Sequence, residues 1–355
     1  MIECIFTIDY EIYGDGTGSL NDSVYQPARR LKDIFDKWDA HFVNFVEVAE
    51  FDKIRTYNSD PDIGLIEKQI RELHAAGFEI GLHLHPQWCN ARYERSRWVL
   101  DFSEYNLCTL SRNRITDIIE HSLAYLRKVL DQSDFTPLSF RAGNWLFQPT
   151  KTVASVLSDH GLKVDSSVFK GGAQRNYKLD YRPAAKNGYY WSFNDEVNQP
   201  DPTGAWIEVP IFTEMVTPWK MSTKKRISFG GNIGMVNRSI KWKLNRMCDF
   251  IRLQYPRKFD FCRMTLDELI SIIDRVMRED RQSPAIYRPL VAIGHTKDFN
   301  DAATVDAFLS FLRSARVPIT TFQDSYPRLL RATTEATSML NKEATIPSSV
   351  ATSRK

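Results

Sequence analysis

The chain has 355 residues, 43% hydrophobic and 26% charged, with 47 Lys and Arg against 44 Asp and Glu. A formal net charge of +3 on that length excludes a chain built as a whole to bind nucleic acid, so electrostatic arguments must rest on local clusters. The length allows one large α/β barrel domain or two ordinary ones, and no stretch supplies the ~20 apolar residues of a membrane-spanning helix.

In chain order, Ile2 to Ile8 reads as a buried strand ending at Asp9. This opening lacks the basic leader and long apolar run of a secretion signal, which favours a cytoplasmic setting. A helix from about Pro27 to Trp38 follows, with proline in its first turn and Leu31, Ile34, Phe35 and Trp38 at helical spacing. Phe42 to Val48 is β-rich, and a helix from about Ile63 to Ala76 stops at Gly77. A strand from Phe78 to Leu82 then delivers His83 and His85. An amphipathic helix over about Ile115 to Leu130 precedes a strand Leu138 to Phe140, ending at Arg141. Next come a helix Thr150 to Asp159 and a short strand Leu162 to Val164. Residues 170 to 205 lose periodicity, and Tyr189 to Phe193 with Trp206 to Pro210 read as a hairpin within a long insertion. Thr265-Leu266-Asp267-Glu268 is a capping box opening a helix to about Arg278. A strand Leu290 to Gly294 ends at His295, and a last helix (Thr304 to Ser314) and strand (Val317 to Thr321) follow. Strands alternating with helices predict a parallel sheet or barrel, with its site at the strands' carboxyl ends.

Four of those ends carry chemistry. Asp9 and Glu11 at the first offer one carboxylate for a metal and the other as general base; the plain alternative is a turn cap beside a solvent-facing Glu. His83 and His85 are two apart, so on a strand both imidazoles reach one ion. Arg141 opens Arg141-Ala142-Gly143-Asn144-Trp145, where a guanidinium can hold a carboxylate ionised and Trp145 can pack on a sugar ring. His295 stands where it could protonate a leaving amine, with Asp298 as an orienting partner; capping a helix is the alternative. His41 and His74 carry no such context. Five scattered cysteines, Cys4, Cys89, Cys108, Cys248 and Cys262, favour reduced thiols over a disulfide framework or thiolate zinc site.

Thr7-Ile8-Asp9-Tyr10-Glu11, Glu79 to Pro86, Phe140 to Trp145, Asp165-Ser166-Ser167 and His295 resemble, in order, the motifs of the polysaccharide deacetylases, the NodB-homology or family-4 carbohydrate esterases, in a divergent branch. The resemblance runs from about residue 2 to 325 and implies an irregular (β/α)7 barrel. It implies Asp9 as base and His295 as general acid, with Arg141 keeping Asp9 anionic. It further implies a divalent metal, zinc foremost, on Glu11, His83 and His85, and an oxyanion donor near Asn144 or Trp145. Two departures stand out: Tyr10 separates carboxylates that are adjacent in the usual motif, and Gln87 occupies the place of the usual second histidine.

Residues 1 to 330 are expected to form one deacetylase-like domain with an insertion over 170 to 260, and residues 333 to 355 a disordered tail. Between Trp219 and Lys258 there are eleven Lys or Arg against one acid, Asp249. That segment reads as an amphipathic helix with a solvated basic face. Its functional alternative is a surface for an anionic partner: a nucleotide- or lipid-linked sugar diphosphate, or the inner membrane leaflet. The expected activity is N-deacetylation of a sugar in glycan or surface-polysaccharide biosynthesis. Its rivals are a metal-free glycoside hydrolase pairing Asp9 with Glu47 or Glu208, and a carbohydrate-binding relic without catalysis.

Overall fold

Eight of the nine residues of the first strand, Ile2–Tyr10, are buried, which marks a strand covered on both faces, as parallel sheets require. The computed structural model describes residues 1–217 and 255–344. Its principal elements are β1 (Ile2–Tyr10), α1 (Gln26–Lys37), β2 (Val43–Glu47), α2 (Val48–Tyr57), α3 (Ile63–Ala75), β3 (Glu79–Leu84), α4 (Arg112–Leu130), β4 (Ser139–Ala142), α5 (Lys151–Asp159), β5 (Val164–Asp165), β6 (Trp191–Phe193), β7 (Trp206–Glu208), α6 (Leu266–Gln282), β8 (Arg288–His295), α7 (Ala302–Ser314), β9 (Ile319–Thr320) and α8 (Phe322–Ala344).

The sheet order is β6-β7-β5-β4-β3-β2-β1-β8, with β9 beside the start of β1. Every pair is parallel except β6 with β7. Beyond β7 the chain continues to Ile211, which bridges both Phe169 and Val291 of β8. Those single bridges join the two ends of the sheet, so β1, β2, β3, β4, β5, β7 and β8 curl into an irregular (β/α)7 barrel. Helices cover its outside: α1 buries Pro27, Ala28, Leu31 and Phe35, and the Phe35 ring meets Phe6 of β1 edge-on at 5.2 Å.

Register places polar residues at the strands' carboxyl ends side by side. Asp9 lies opposite His295, His83 lies between Glu47 and Arg141, and Asp165 lies opposite Glu208. The wall below them is tightly packed. A Cβ on Gly81 would come within 2.6 Å of the Phe45 ring, and that ring carries the Arg141 guanidinium 4.3 Å from its centroid.

The structure departs from the sequence expectations at three places. Helix α2 follows β2 without a linker; because Val48, Ala49, Glu50, Phe51 and Ile54 are all buried, it shows little one-sided periodicity and reads as a continuation of the strand. Trp206–Glu208, read as one arm of a hairpin in an insertion, does pair with β6, but it also pairs in parallel with β5 and is barrel wall. Helix α8 runs on past Thr333 to Ala344, where a disordered tail was expected; Ala, Glu, Met and Leu among its last residues are good helix formers. Of the basic segment, residues 219–254 lie outside the described residues, and Tyr255–Lys258 is a strand, antiparallel to Thr213–Val216. No helix among the described residues is long and apolar enough to cross a membrane.

Candidate active site

Burying a carboxylate is costly unless it is paired and hydrogen-bonded; two at the mouth of the barrel are. Asp9, 2% exposed, accepts a hydrogen bond from Arg141 Nη1 at 2.6 Å, and its other oxygen lies 3.3 Å from His295 Nε2. Arg141 is wholly buried and makes three further bonds: Nε donates to the Ser166 carbonyl (2.9 Å), and Nη2 to Thr7 Oγ1 (2.9 Å) and Ser166 Oγ (3.2 Å). Burial works against the Asp9 charge, but Arg141, His83 and His295 overcome it and hold the carboxyl below its ordinary range.

Glu11 is the second. Its Oε1 takes a bond from Lys297 Nζ at 2.7 Å, leaving Oε2 to face His85 Nε2 at 3.0 Å and His83 Nε2 at 3.6 Å. Against its burial, Lys297 and His85 pull its pKa well below the usual value. Two further buried carboxyls behave oppositely. Burial pushes Glu47 and Glu50 both well up, helped by Glu50 and Glu11 at Glu47 and by Glu11 at Glu50. They serve the backbone: Glu47 accepts from the N–H of His85 (2.7 Å), and Glu50 from that of Ile12 (2.9 Å).

Both histidines are aimed. His83 Nδ1 lies 2.8 Å from the Arg141 carbonyl, which fixes its proton there. Its Nε2 then points at Glu11, buried and without a hydrogen-bond partner. His85 Nδ1 lies 3.2 Å from both the Gln87 and the Asn144 amide nitrogens. With those amides donating, the His85 proton sits on Nε2 toward Glu11. Turning both the Gln87 and the Asn144 amides over brings their oxygens, of which Gln87 Oε1 is unpartnered, against Nδ1–H and bares the Nε2 lone pair. Gln87 thus stands behind His85 as an orienting residue.

Glu11, Glu47, His83 and His85 each offer a ligand atom within 4.8 Å of the others. Two imidazoles and a carboxylate, with an orphaned ring nitrogen among them, fit a divalent transition ion. His85 stays close because Gly143 permits it: a Cβ there would lie 2.4 Å from the Leu84 carbonyl and 2.9 Å from His85 Cα. Gly143→Ala is therefore expected to cost about 1–3 kcal/mol of stability and to weaken metal uptake. Urea unfolding and a metal titration check this, and no change in either would refute the packing argument.

Around His295, Asp298 Oδ2 lies 3.6 Å from Nδ1 but is claimed by Arg263 at 2.5 Å. Burial lowers the His295 pKa despite Asp9 and Asp298. Asn144 and Trp145 both adopt left-handed backbone (φ 54° and 61°), uncommon for Trp. The Tyr181 hydroxyl holds the turn by donating to the Trp145 carbonyl at 2.7 Å. The Trp145 ring lies 6.3 Å from that of His295, with one face covered by Lys258. The residues expected from the sequence therefore lie in this one neighbourhood, joined by Thr7, Glu47, Gln87, Ser166, Lys258 and Lys297. Sequence reasoning had named Glu47 only as a rival carboxylate, Gln87 only as a departure from the usual motif, and Thr7 and Ser166 only as motif members; Lys258 and Lys297 it gave no place. A cavity of about 530 Å³, lined by Ile12, Asp15, Gly16, Tyr93 and Trp98 among others, adjoins the cluster at Ile12.

Over 99% of its length the chain superposes on 94% of a Mycobacterium smegmatis protein described as a polysaccharide deacetylase, with TM-score 0.51 and 12% identity. The fold is that of a polysaccharide deacetylase. Also matched are a family-4 carbohydrate esterase from Streptomyces lividans (TM-score 0.40, 10% identity, 90% of this chain and 93% of that one) and a family-4 pseudoenzyme from Bacillus anthracis (TM-score 0.41, 13% identity, 91% and 64%). No family model and no curated protein matches the sequence.

Proposed function

We propose that this chain removes an N-acyl group, acetyl foremost, from a sugar, in a metal-dependent hydrolysis at the mouth of the barrel. The observation that carries this reading is the division of labour between two buried carboxylates: Asp9 held between Arg141 and His295, Glu11 facing His83 and His85. Glu11, His83 and His85 would hold the ion, zinc foremost, which when bound supplies Lewis-acid polarisation of the amide carbonyl. Asp9, kept ionised by Arg141, takes a proton from the attacking water. His295 gives a proton to the departing amine nitrogen. Asn144 and Trp145 line the substrate side, where a backbone N–H is suited to the developing oxyanion.

In this reading residues 1 to 330 act as one catalytic domain. The substrate is an N-acetylated glycan, nucleotide- or lipid-linked, processed in the cytoplasm. The glycoside-hydrolase alternative finds no support, because Glu47 and Glu208 are both wholly buried and burial first of all pushes both carboxyls up.

Acetate release from N-acetylated oligosaccharides and nucleotide sugars, with and without a chelator, tests the proposal. Release is expected to stop with the chelator, return with zinc, and fall about 10²- to 10⁴-fold in His295→Ala. Full release by metal-free protein, or none from any acetylated sugar, would overturn it.

A further inference from the structure

The last residue of the basic segment ends inside the site. Lys258 closes the strand Tyr255–Lys258, and the barrel wall fixes the chain just beyond it: Phe259 N–H donates to the Phe212 carbonyl at 2.8 Å, and Asp260 bridges Ile293 of β8. Its neighbour Arg257 is spoken for by Glu214 and Glu268. Lys258 is not. Among the described residues no carboxylate lies within 4.0 Å of its ammonium and no acceptor bonds it. Instead Nζ lies 2.8 Å from the Trp145 ring centroid and 4.5 Å from that of Phe169. Trp145 in turn faces His295, so this cation borders the place where the amine departs.

An ammonium held against two aromatic faces gains some cation–π attraction, and on this half-buried residue it has no carboxylate to pair with among the described residues. Burial depresses its pKa well below the usual lysine range, with Asp260 and Asp9 favouring the charge and Arg263 and Arg141 opposing it. The backbone fixes the Cα, and the two rings hold the amine where an arriving anion could pair with it.

We propose that Lys258 is a specificity residue that pairs with an anionic group, a carboxylate or a phosphate, carried by the substrate sugar beside its acylated nitrogen. An anionic sugar gains a charge-assisted hydrogen bond at a half-buried amine; a neutral one leaves the amine unpaired. The inference rests on the deacetylase reading only for where the acylated nitrogen lies.

Calorimetric titration of the full chain tests it, using a glucuronate-containing oligosaccharide, a sugar phosphate and a neutral N-acetylglucosamine oligomer as probes. The wild type is expected to bind one of the two anionic probes about 10- to 100-fold more tightly than the neutral one, and the tighter of the two identifies the anion. Lys258→Met should erase that preference and Lys258→Arg should retain most of it. Where acetate is released, the Lys258→Met effect should fall on KM for the anionic substrate. The proposal is overturned if the wild type shows no preference for an anion, if Lys258→Met keeps it, or if that variant lowers kcat equally on neutral and anionic substrates. Because binding is read without turnover, anion preference without acetate release would sink the deacetylase reading alone. Acetate release without anion preference would sink only this one.

Discussion

Asp9→Asn is expected to lower acetate release at saturating substrate by about 10²- to 10⁴-fold, the usual contribution of a general base, and to weaken the fold as well. The stability loss follows from what remains. Arg141 is wholly buried and its Nη1 donates to Asp9 at 2.6 Å; removing one partner of a buried pair costs about 3–5 kcal/mol. The effect carries a pH signature. The Asp9 pKa is lowered in the folded state, so its stabilisation is fully present above the unfolded value of about 3.9 and lost as pH falls through the folded one. Urea unfolding of both proteins should show the widest gap at pH 7 and a narrowing gap below about pH 4. An activity within tenfold of wild type would remove Asp9 from the role of base.

His83→Ala should abolish tight metal binding. His83 Nε2 is buried, unpartnered and 3.6 Å from the Glu11 carboxylate, so its removal takes away a ligand atom for which the protein offers no replacement. Wild-type protein dialysed against zinc and then freed of excess is expected to retain about one ion per chain, as three protein ligands would hold it. His83→Ala is expected to bind at least ~100-fold more weakly. Gln87→Ala is the informative companion, because loss of a group that only orients a ligand typically weakens binding about 10- to 100-fold. If the wild type itself retains no metal, the metal-dependent reading fails. If Gln87→Ala and His83→Ala lose metal equally, Gln87 does more than orient His85.

The alternation of strands and helices was readable because each barrel strand is a short apolar run and most helices are amphipathic. The carboxyl ends were readable because Asp9, His83, Arg141 and His295 each interrupt such a run with a chemically distinctive side chain. Helix α2 was hidden by burial around much of its surface. The part of β7 in the wall was hidden because a two- or three-residue strand leaves no period, and its parallel partner β5 lies some forty residues earlier in a segment just as short. The contents of the site were partly hidden for another reason. Lys258 and Lys297 sit in ordinary local sequence, and only the folding of the C-terminal part against the barrel brings them beside Trp145 and Glu11; Glu47, on β2 next to β1, gave no sign of its contact with His85. Gln87 was legible as a departure from the usual motif; its use became clear from the 3.2 Å approach to His85.

The register of β1 against β8, from Ile2 opposite Arg288 to Asp9 opposite His295, also sets an order of assembly. A nascent chain emerging N-terminus first can build β1 through β4, and with them Glu11, His83, His85 and Arg141, while β8 has yet to be translated. The half that would hold an ion can therefore exist before the half that would supply a proton. On the deacetylase reading, hydrolysis would have to wait until β8 docks against β1 and brings His295 opposite Asp9.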